Sequence, residues 1–435
     1  MVDRYRRDAL SILIRLYEGR IAFLDQAYTA CSLRYSPHER DLLVSLVRGV
    51  VKFREKLDTL ARTYLPKWER LPPVIQNALR LGMFQLLFHT RVPPFAVVHE
   101  WVEVVRSFGQ VAFVPLVNAV LRNVERDLAA HRAQAEKWGI DLPAWLEAEW
   151  RRVLPEEELH VLLRSLALPP PLYIRVNTLR IGEEELQKLL AQRGIPSRRS
   201  RISGALEVVS SYSALVRTPE YAQGLFYPQD LGSQVVGHLV APKSGEVVVD
   251  ACCGVGGKTL LLAQLMGNEG KLFAWDKKKR RIEVLKGLMR RSGVLIVQPE
   301  VLNCLRIPER FWFVADRLLL DAPCSNLGTV RRNPEALLKA TPESVRQCAS
   351  LQLELLREAF QVVRPQGLMV YSVCTLTWEE TVGVAEAFEQ EKGPALVRVE
   401  PEGEVPGRVR DGFVFLWPHD LFCDGFFVAI WRKKA

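Results

Sequence analysis

Hydrophobic and polar positions keep a helical rhythm from Arg4 to about Arg126, where Leu42, Leu43, Leu46, Val47, Val50 and Val51 recur at i, i+3, i+4 spacing along one face. Pro72-Pro73 and Pro93-Pro94 interrupt that rhythm, so the stretch predicts several short helices packed as an all-α bundle over residues 1–140. The next stretch, 141–225, begins with connector helices around Trp145–Val153 and Glu156–Leu166 that run into Pro169-Pro170-Pro171. Beyond it, Leu172–Asn177 and Leu206–Val209 have strand character and Glu183–Arg193 has helix character, the makings of a small α+β unit. From 226 to 435 apolar strand-like runs alternate with helical ones. Val247–Asp250, Lys271–Asp276, Arg317–Asp321 and Leu368–Ser372 are the clearest strands, and their spacing leaves room for crossover helices, the pattern of a parallel α/β sheet of Rossmann-like, doubly wound type. Gly412–Leu416 and Gly425–Trp431, separated by Pro418, predict a closing antiparallel hairpin.

The chain of 435 residues is long enough for two or three domains of roughly 100 to 200 residues each. It shows no signal-peptide core and no run of about 20 apolar residues, so the expected location is cytoplasmic, with no membrane partner. Eight cysteines and seven histidines form neither a CxxC nor an HExxH pattern, so no metal is expected. A formal charge of +9 and a pI near 9.2 favour a polyanionic partner, because each cation set against a phosphate releases condensed counterions. The chain is expected to act as a monomer.

Chemistry first becomes visible at Val247–Thr259, a buried strand, a glycine turn and a helix start. Cys252, Cys253, Gly254, Val255, Gly256, Gly257 and Lys258 form the turn, where glycines let a ligand approach the backbone. A phosphate-binding P-loop requires Gly at position 252, and the dinucleotide fingerprint requires it at 259, where Thr stands; neither is met. The following strand ends at Asp276, placed to accept hydrogen bonds from ribose hydroxyls. A nucleoside without a phosphate requirement, S-adenosyl-L-methionine, is the expected cofactor.

Two further strands each deliver a thiol to their carboxyl ends: Cys324 after Arg317–Asp321, and Cys374 after Leu368–Ser372. Ligands of open α/β sheets bind at that edge. Carbon 5 of cytosine is too weak a nucleophile to attack a methyl sulfonium until another nucleophile adds at carbon 6, and a thiolate suits that addition. Asp321 is placed to stabilise the adduct by hydrogen bonding or proton donation, and is expected to contact the cofactor as well. Cys31, Cys252, Cys253, Cys304, Cys348 and Cys423 have no comparable setting and read as structural, the adjacent pair lining the cofactor turn at most.

Asp321–Glu335 (DAPCSNLGTVRRNPE) and Tyr371–Thr375 followed by Glu379-Glu380 resemble the fourth and sixth motifs of the RNA cytosine carbon-5 methyltransferases of the RsmB (Sun/Fmu) and NOL1/NOP2/Sun type. The resemblance implies that Cys374 is the nucleophile and Cys324 the helper that lets the product leave. Tyr173–Thr178 and Gln229–Gln234 are similar to the family's upstream motifs and imply a small RNA-binding subdomain. Leu79–Leu87 and Val117–Asn123 are similar to the NusB fold, a pairing that implies 16S ribosomal RNA as substrate. The family's loop C-A-A-P-G-G-K is altered here by a missing proline and an added glycine, and Asn303 stands where the family carries an Asp near the adenine; its carbonyl oxygen still accepts one hydrogen bond. Val373 and Thr381 replace a usual Thr and Asn.

Arg331 and Arg332, close behind Cys324, are the leading RNA contacts, with Lys258 at the crevice mouth and Arg175 in the subdomain motif. Clusters at Arg198-Arg199-Arg201, Lys277–Arg281 and Arg290-Arg291 admit phosphate binding, and for Lys277–Arg281 a solvated helix face beside the cofactor site is an equal reading. A paired cytosine has to leave its stack, so a loop or opened helix is the expected substrate. Two alternatives stand beside ribosomal RNA methylation: the same chemistry on transfer RNA, and a NusB-like assembly factor without catalysis.

Overall fold

The computed structural model describes residues 3–31, 34–401, 403 and 405–435; the side chain of Cys31 lies outside the described residues. The chain divides into two compact units. One comprises Met1–Pro143, His160–Leu168 and Arg331–Leu338, and the other Ala144–Leu159, Pro169–Val330 and Lys339–Ala435.

The first unit is helical. Both proline pairs start helices instead of ending them: Pro73–Phe88 and Pro94–Ser107 carry Pro at the first helical turn, where the missing N–H is not needed. Pro37–Lys52 is held at its start by a capping box between Ser36 and Glu39. The apolar stripe expected over 42–51 is buried at Leu43, Leu46, Val47, Val50 and Val51, while Leu42 sits half-buried at the core margin. Inside this core Arg80 makes a bidentate pair with Asp58, at 2.6 and 2.8 Å, so neither buried charge stands alone.

The second unit holds two sheets. Strands β1 (Leu172–Val176), β2 (Ser197–Arg199), β3 (Ala205–Val208) and β4 (Phe226–Pro228) form an antiparallel sheet in the order β2-β3-β1-β4, covered by the helix Glu183–Gln192, whose Leu186 and Leu190 are buried. The larger sheet is built from β5 (Val247–Ala251), β6 (Lys271–Asp276), β7 (Val297–Val301), β8 (Ala315–Asp321), β9 (Val363–Val373), β10 (Leu396–Arg398), β11 (Arg408–Arg410), β12 (Phe413–Leu416) and β13 (Phe426–Lys433). Its order is β11-β12-β13-β9-β8-β5-β6-β7, with β10 paired to β13. Strands β5 to β9 run parallel, and β10 to β13 add an antiparallel edge. The strand order reverses between β5 and β8, which creates the crevice at their carboxyl ends where ligands of such sheets bind.

The described residues contain no helix long and apolar enough to cross a membrane.

Candidate active site

Strands β8 and β9 lie side by side in the middle of the sheet, with β8 bordering this crevice. Leu318, Leu319 and Leu320 are buried, as are Met369, Val370, Tyr371 and Val373, because both faces of the strands are covered. Their parallel register sets Asp321 opposite Ser372. Beyond that pair the two chains stay tied together: Ala322 N–H donates to Ser372 O at 2.9 Å, and Gly328 N–H donates to Cys374 O at 2.9 Å. The result brings Cys324 Sγ within 3.3 Å of Cys374 Sγ. Cys374 Sγ also donates to Asn326 Oδ1 at 3.1 Å, and Asn326 Nδ2 donates back to Cys324 O at 3.1 Å. Asn326 adopts φ +60°, a left-handed conformation that Asn tolerates better than most side chains. The hydrogen bond that Cys324 can donate to Cys374, together with burial, pushes the Cys324 thiol well above its usual range.

Asp321 accepts from Ser372 Oγ at 2.8 Å on one oxygen and from Lys258 Nζ at 2.7 Å on the other. Burial by itself pulls the Lys258 ammonium down, but the charge and hydrogen bond of Asp321 outweigh it and leave Lys258 above its ordinary value. Lys258 opens the helix Gly257–Leu265, where the helix dipole disfavours a cation; Asp321 offsets that cost. Its ammonium also lies 5.0 Å from the centre of the Phe426 ring.

The turn after β5 runs through left-handed backbone at Cys252 (φ +65°), Gly254 (φ +59°) and Gly256 (φ +94°). Gly254 faces open space: a Cβ built there meets nothing within 4 Å. Trp275 O fixes the turn by accepting from Cys253 N–H at 2.8 Å. Asp250, at the end of β5, accepts from Thr259 Oγ1 at 2.6 Å on one oxygen, while its other oxygen is buried with no hydrogen-bond partner. Burial pushes this carboxyl up to about 7, against the pull of Thr259, and the nearby Asp321 adds to the rise. Asp276 accepts from Lys278 N–H at 2.8 Å and from Arg281 at 2.9 Å, one contact per oxygen, leaving lone pairs on both. Asn303 uses its carbonyl oxygen on Leu305 N–H at 3.2 Å, closing its own turn. An orphaned buried acceptor, an open left-handed glycine and a second acidic strand end suit a ligand with ribose hydroxyls and positive charge, which S-adenosyl-L-methionine has; the residues fit that group. Cys252 is pushed well up, first by its contact with Cys304 and then by burial, and Cys253 is pushed up by burial, as expected of thiols that pack and do not react.

The residues expected to meet RNA divide. Arg175 is 3% exposed, and its guanidinium donates to Gln229 and, at 2.7 Å, to Gly257 O, so in this conformation it supports the glycine turn from β1. Arg331 and Arg332 belong to the helical unit although they follow Cys324 closely in sequence, and Arg331 is buried. Of the ambiguous clusters, Arg198 pairs with Glu207, Arg199 with Glu183 and Glu184, and Arg281 with Asp276. Among the site residues, Asn326, Asp250 and Glu380 received no role from the sequence. An acid closing a buried strand just before a glycine turn was the available signal for Asp250.

Residues 237–432 match the family model described as 16S rRNA methyltransferase RsmB/F, residues 4–126 match the NusB family, and residues 142–213 match the ferredoxin-like domain of RsmF/B-like methyltransferases. The probable ribosomal RNA small subunit methyltransferase B of Bacillus subtilis (strain 168) is 30% identical over 446 residues, covering 98% of each chain. The ribosomal RNA small subunit methyltransferase B of Vibrio cholerae serotype O1 is 28% identical over 420 residues, covering 94% of this chain and 93% of its own. Among solved structures, that of PH0851 has a TM-score of 0.77 at 26% identity, covering 98% of this chain and 99% of its own. A methyltransferase homolog protein from Pyrococcus horikoshii has a TM-score of 0.59 at 29% identity, covering 66% of this chain and 94% of its own. Matched end to end by such relatives, and carrying the helical, ferredoxin-like and catalytic segments in the same order, the chain belongs to the RsmB/F family of ribosomal RNA small subunit methyltransferases.

Proposed function

We propose that the protein methylates carbon 5 of a cytosine in 16S ribosomal RNA, with S-adenosyl-L-methionine as methyl donor and Cys374 as covalent nucleophile. The observation that carries this reading is the 3.3 Å separation of Cys374 Sγ and Cys324 Sγ beside the Asp321 carboxylate. The Cys374 thiolate bonds to carbon 6 of the base, and the ring electron pair moves toward carbon 5. Asp321, held by Lys258 and Ser372, faces the polar edge of the ring and stabilises the charge that builds there. The bound cofactor supplies an electrophilic methyl group. Loss of the carbon 5 proton to a base then returns the electron pair through the ring and breaks the carbon–sulfur bond, releasing Cys374 as a thiolate. The protonated Cys324 donates a hydrogen bond to that departing thiolate.

Asp250, Asp276, Asn303 and the turn from Cys252 to Lys258 hold the cofactor; Arg331, Arg332, Arg175 and Lys258 serve the RNA side, by contact or by supporting the site. Residues 1–140, 141–225 and 226–435 act as RNA-binding bundle, RNA-binding subdomain and catalytic domain, in the cytoplasm where ribosomal RNA is assembled. Transfer of labelled methyl from S-adenosyl-L-methionine to 16S ribosomal RNA, with digestion to nucleosides, tests the reading. The label is expected in 5-methylcytidine and absent with Cys374→Ala; label in any other nucleoside overturns the chemistry, and preferential labelling of transfer RNA overturns the substrate.

A further inference from the structure

Something has to hold two thiols from separate turns at hydrogen-bond distance. Glu380 has no exposed surface, yet it sits among neutral donors. Its Oε1 accepts from Ser325 N–H at 2.9 Å and Gln352 Nε2 at 3.0 Å, and its Oε2 accepts from Thr377 Oγ1 at 3.0 Å and Thr375 Oγ1 at 3.3 Å. Ser325 is the residue after Cys324, and Thr375 is the residue after Cys374. A single carboxylate therefore grips the immediate neighbours of both thiols. The two gripped residues also meet each other, Ser325 Oγ lying 2.9 Å from Thr375 Oγ1. Gln352, itself fully buried, donates to Pro323 O at 2.9 Å and accepts from Tyr371 OH at 3.0 Å, so the grip is anchored to the long helix Pro342–Val362 and to β9.

Burying a carboxylate among neutral groups is expensive, and burial does push Glu380 up from the ordinary carboxylate range, with the hydrogen bonds from Ser325 and Gln352 pulling the other way. An apolar side chain of similar size fills the same space without that cost. It does not accept the Ser325 N–H, and it leaves the residues that follow the two thiols joined only through their hydroxyl pair, with the Gly328 N–H to Cys374 O bond the nearest remaining backbone tie between the turns.

We propose that Glu380 is a positioning residue whose carboxylate locks the Cys324 turn to the Cys374 turn and thereby fixes the distance between the two sulfurs. The importance of that distance for turnover rests on the covalent reading of Cys374 given above; the distance itself does not.

Diamide, which takes two electrons and two protons from a pair of close thiols and leaves them as a disulfide, reads the distance without RNA or cofactor. The full chain is treated briefly, digested, and the Cys324–Cys374 bridge quantified by mass spectrometry. The parent is expected to bridge rapidly. Glu380→Leu is expected to bridge at least tenfold more slowly. Glu380→Gln keeps one oxygen for Ser325 and Gln352 and offers its amide to the two Thr hydroxyls, which accept as well as donate, so it is expected to stay within about threefold of the parent. In methyl transfer the same order is expected in kcat, with cofactor affinity unchanged. Equal bridging rates for Glu380→Leu and the parent overturn the proposal, as does equal slowing in the Leu and Gln variants. If Glu380→Leu does not fold, Thr375→Val keeps the carboxylate but removes its hold on the residue after Cys374, and an unchanged bridging rate there overturns the proposal too. A failure of the nucleophile assignment looks different: bridging follows the expected order, but no RNA adduct forms at Cys374.

Discussion

Cys324 and Cys374 are separated by 50 positions in the chain, and their sulfurs are 3.3 Å apart in space. Contact with Cys374 and burial raise the Cys324 thiol well above its usual range, which makes the pair asymmetric, with Cys324 the member that holds its proton and can share it with its neighbour.

That asymmetry separates the phenotypes of the two cysteines. Cys324→Ala is expected to form the bond to RNA and fail to release it, accumulating a protein–RNA adduct that survives denaturing electrophoresis. Cys374→Ala is expected to form none. Identical behaviour of the two variants removes the assigned roles.

Lys258→Met leaves Asp321 without its cation. Asp321 is 30% exposed along its side chain, so the penalty is smaller than for a fully buried pair. The loss of a charged hydrogen bond of about 1.5–3 kcal/mol predicts a 10- to 100-fold fall in single-turnover rate. Stopped single-turnover methylation measures it, and a change below twofold contradicts a part for this pair in the reaction.

Asp250 predicts a pH dependence of stability. Its carboxyl is raised by burial to about 7 in the folded protein, against about 3.9 in an unfolded chain, so the folded state holds the proton more tightly. The stabilisation is complete below about pH 4 and is lost as pH rises through about 7. Asp250→Asn, which still accepts from Thr259, removes that dependence, on the order of 4 kcal/mol across the window. Melting curves without cofactor are expected to show the variant gaining on the parent as pH rises from 4 to 7; parallel curves refute it.

Gly328 lies where backbone meets backbone. A Cβ there falls 2.1 Å from Gly425 O and 2.9 Å from Cys374 O, and no side-chain rotation relieves either contact. Gly328→Ala is expected to cost at least about 1–3 kcal/mol. It is also expected to abolish adduct formation, because the strand end that carries Cys374 must move. Calorimetry with the adduct assay checks both, and an unchanged melting temperature contradicts the packing.

Much of this site is legible in the amino-acid sequence. Asp321, Cys324 and Cys374 announce themselves because apolar runs make buried strands, and a parallel sheet sends every such strand's carboxyl end to the same edge. The hairpin expected near the end of the chain is there, with β12 and β13 paired antiparallel. What local pattern does not carry is pairing across long separations. The short strand β2 is written Ser-Arg-Arg, which reads as a basic cluster until Glu207 and Glu183 turn out to face it. Arg175 reads as an RNA contact, and nothing in its local sequence shows that its guanidinium reaches Gly257 O. Glu380 belongs to an acidic doublet, and nothing in a doublet tells which member is buried: Glu380 has no exposed surface, while Glu379 pairs with Arg152 at 2.8 Å.

The helical unit borrows Arg331–Leu338 from far along the chain, and Glu335 in that segment accepts the Leu24 N–H at 3.1 Å. A ribosome making this protein has therefore released most of the polypeptide before its first unit has all its parts. Cutting the gene after the apparent N-terminal bundle yields a fragment without Arg331–Leu338, with the Leu24 N–H deprived of its acceptor.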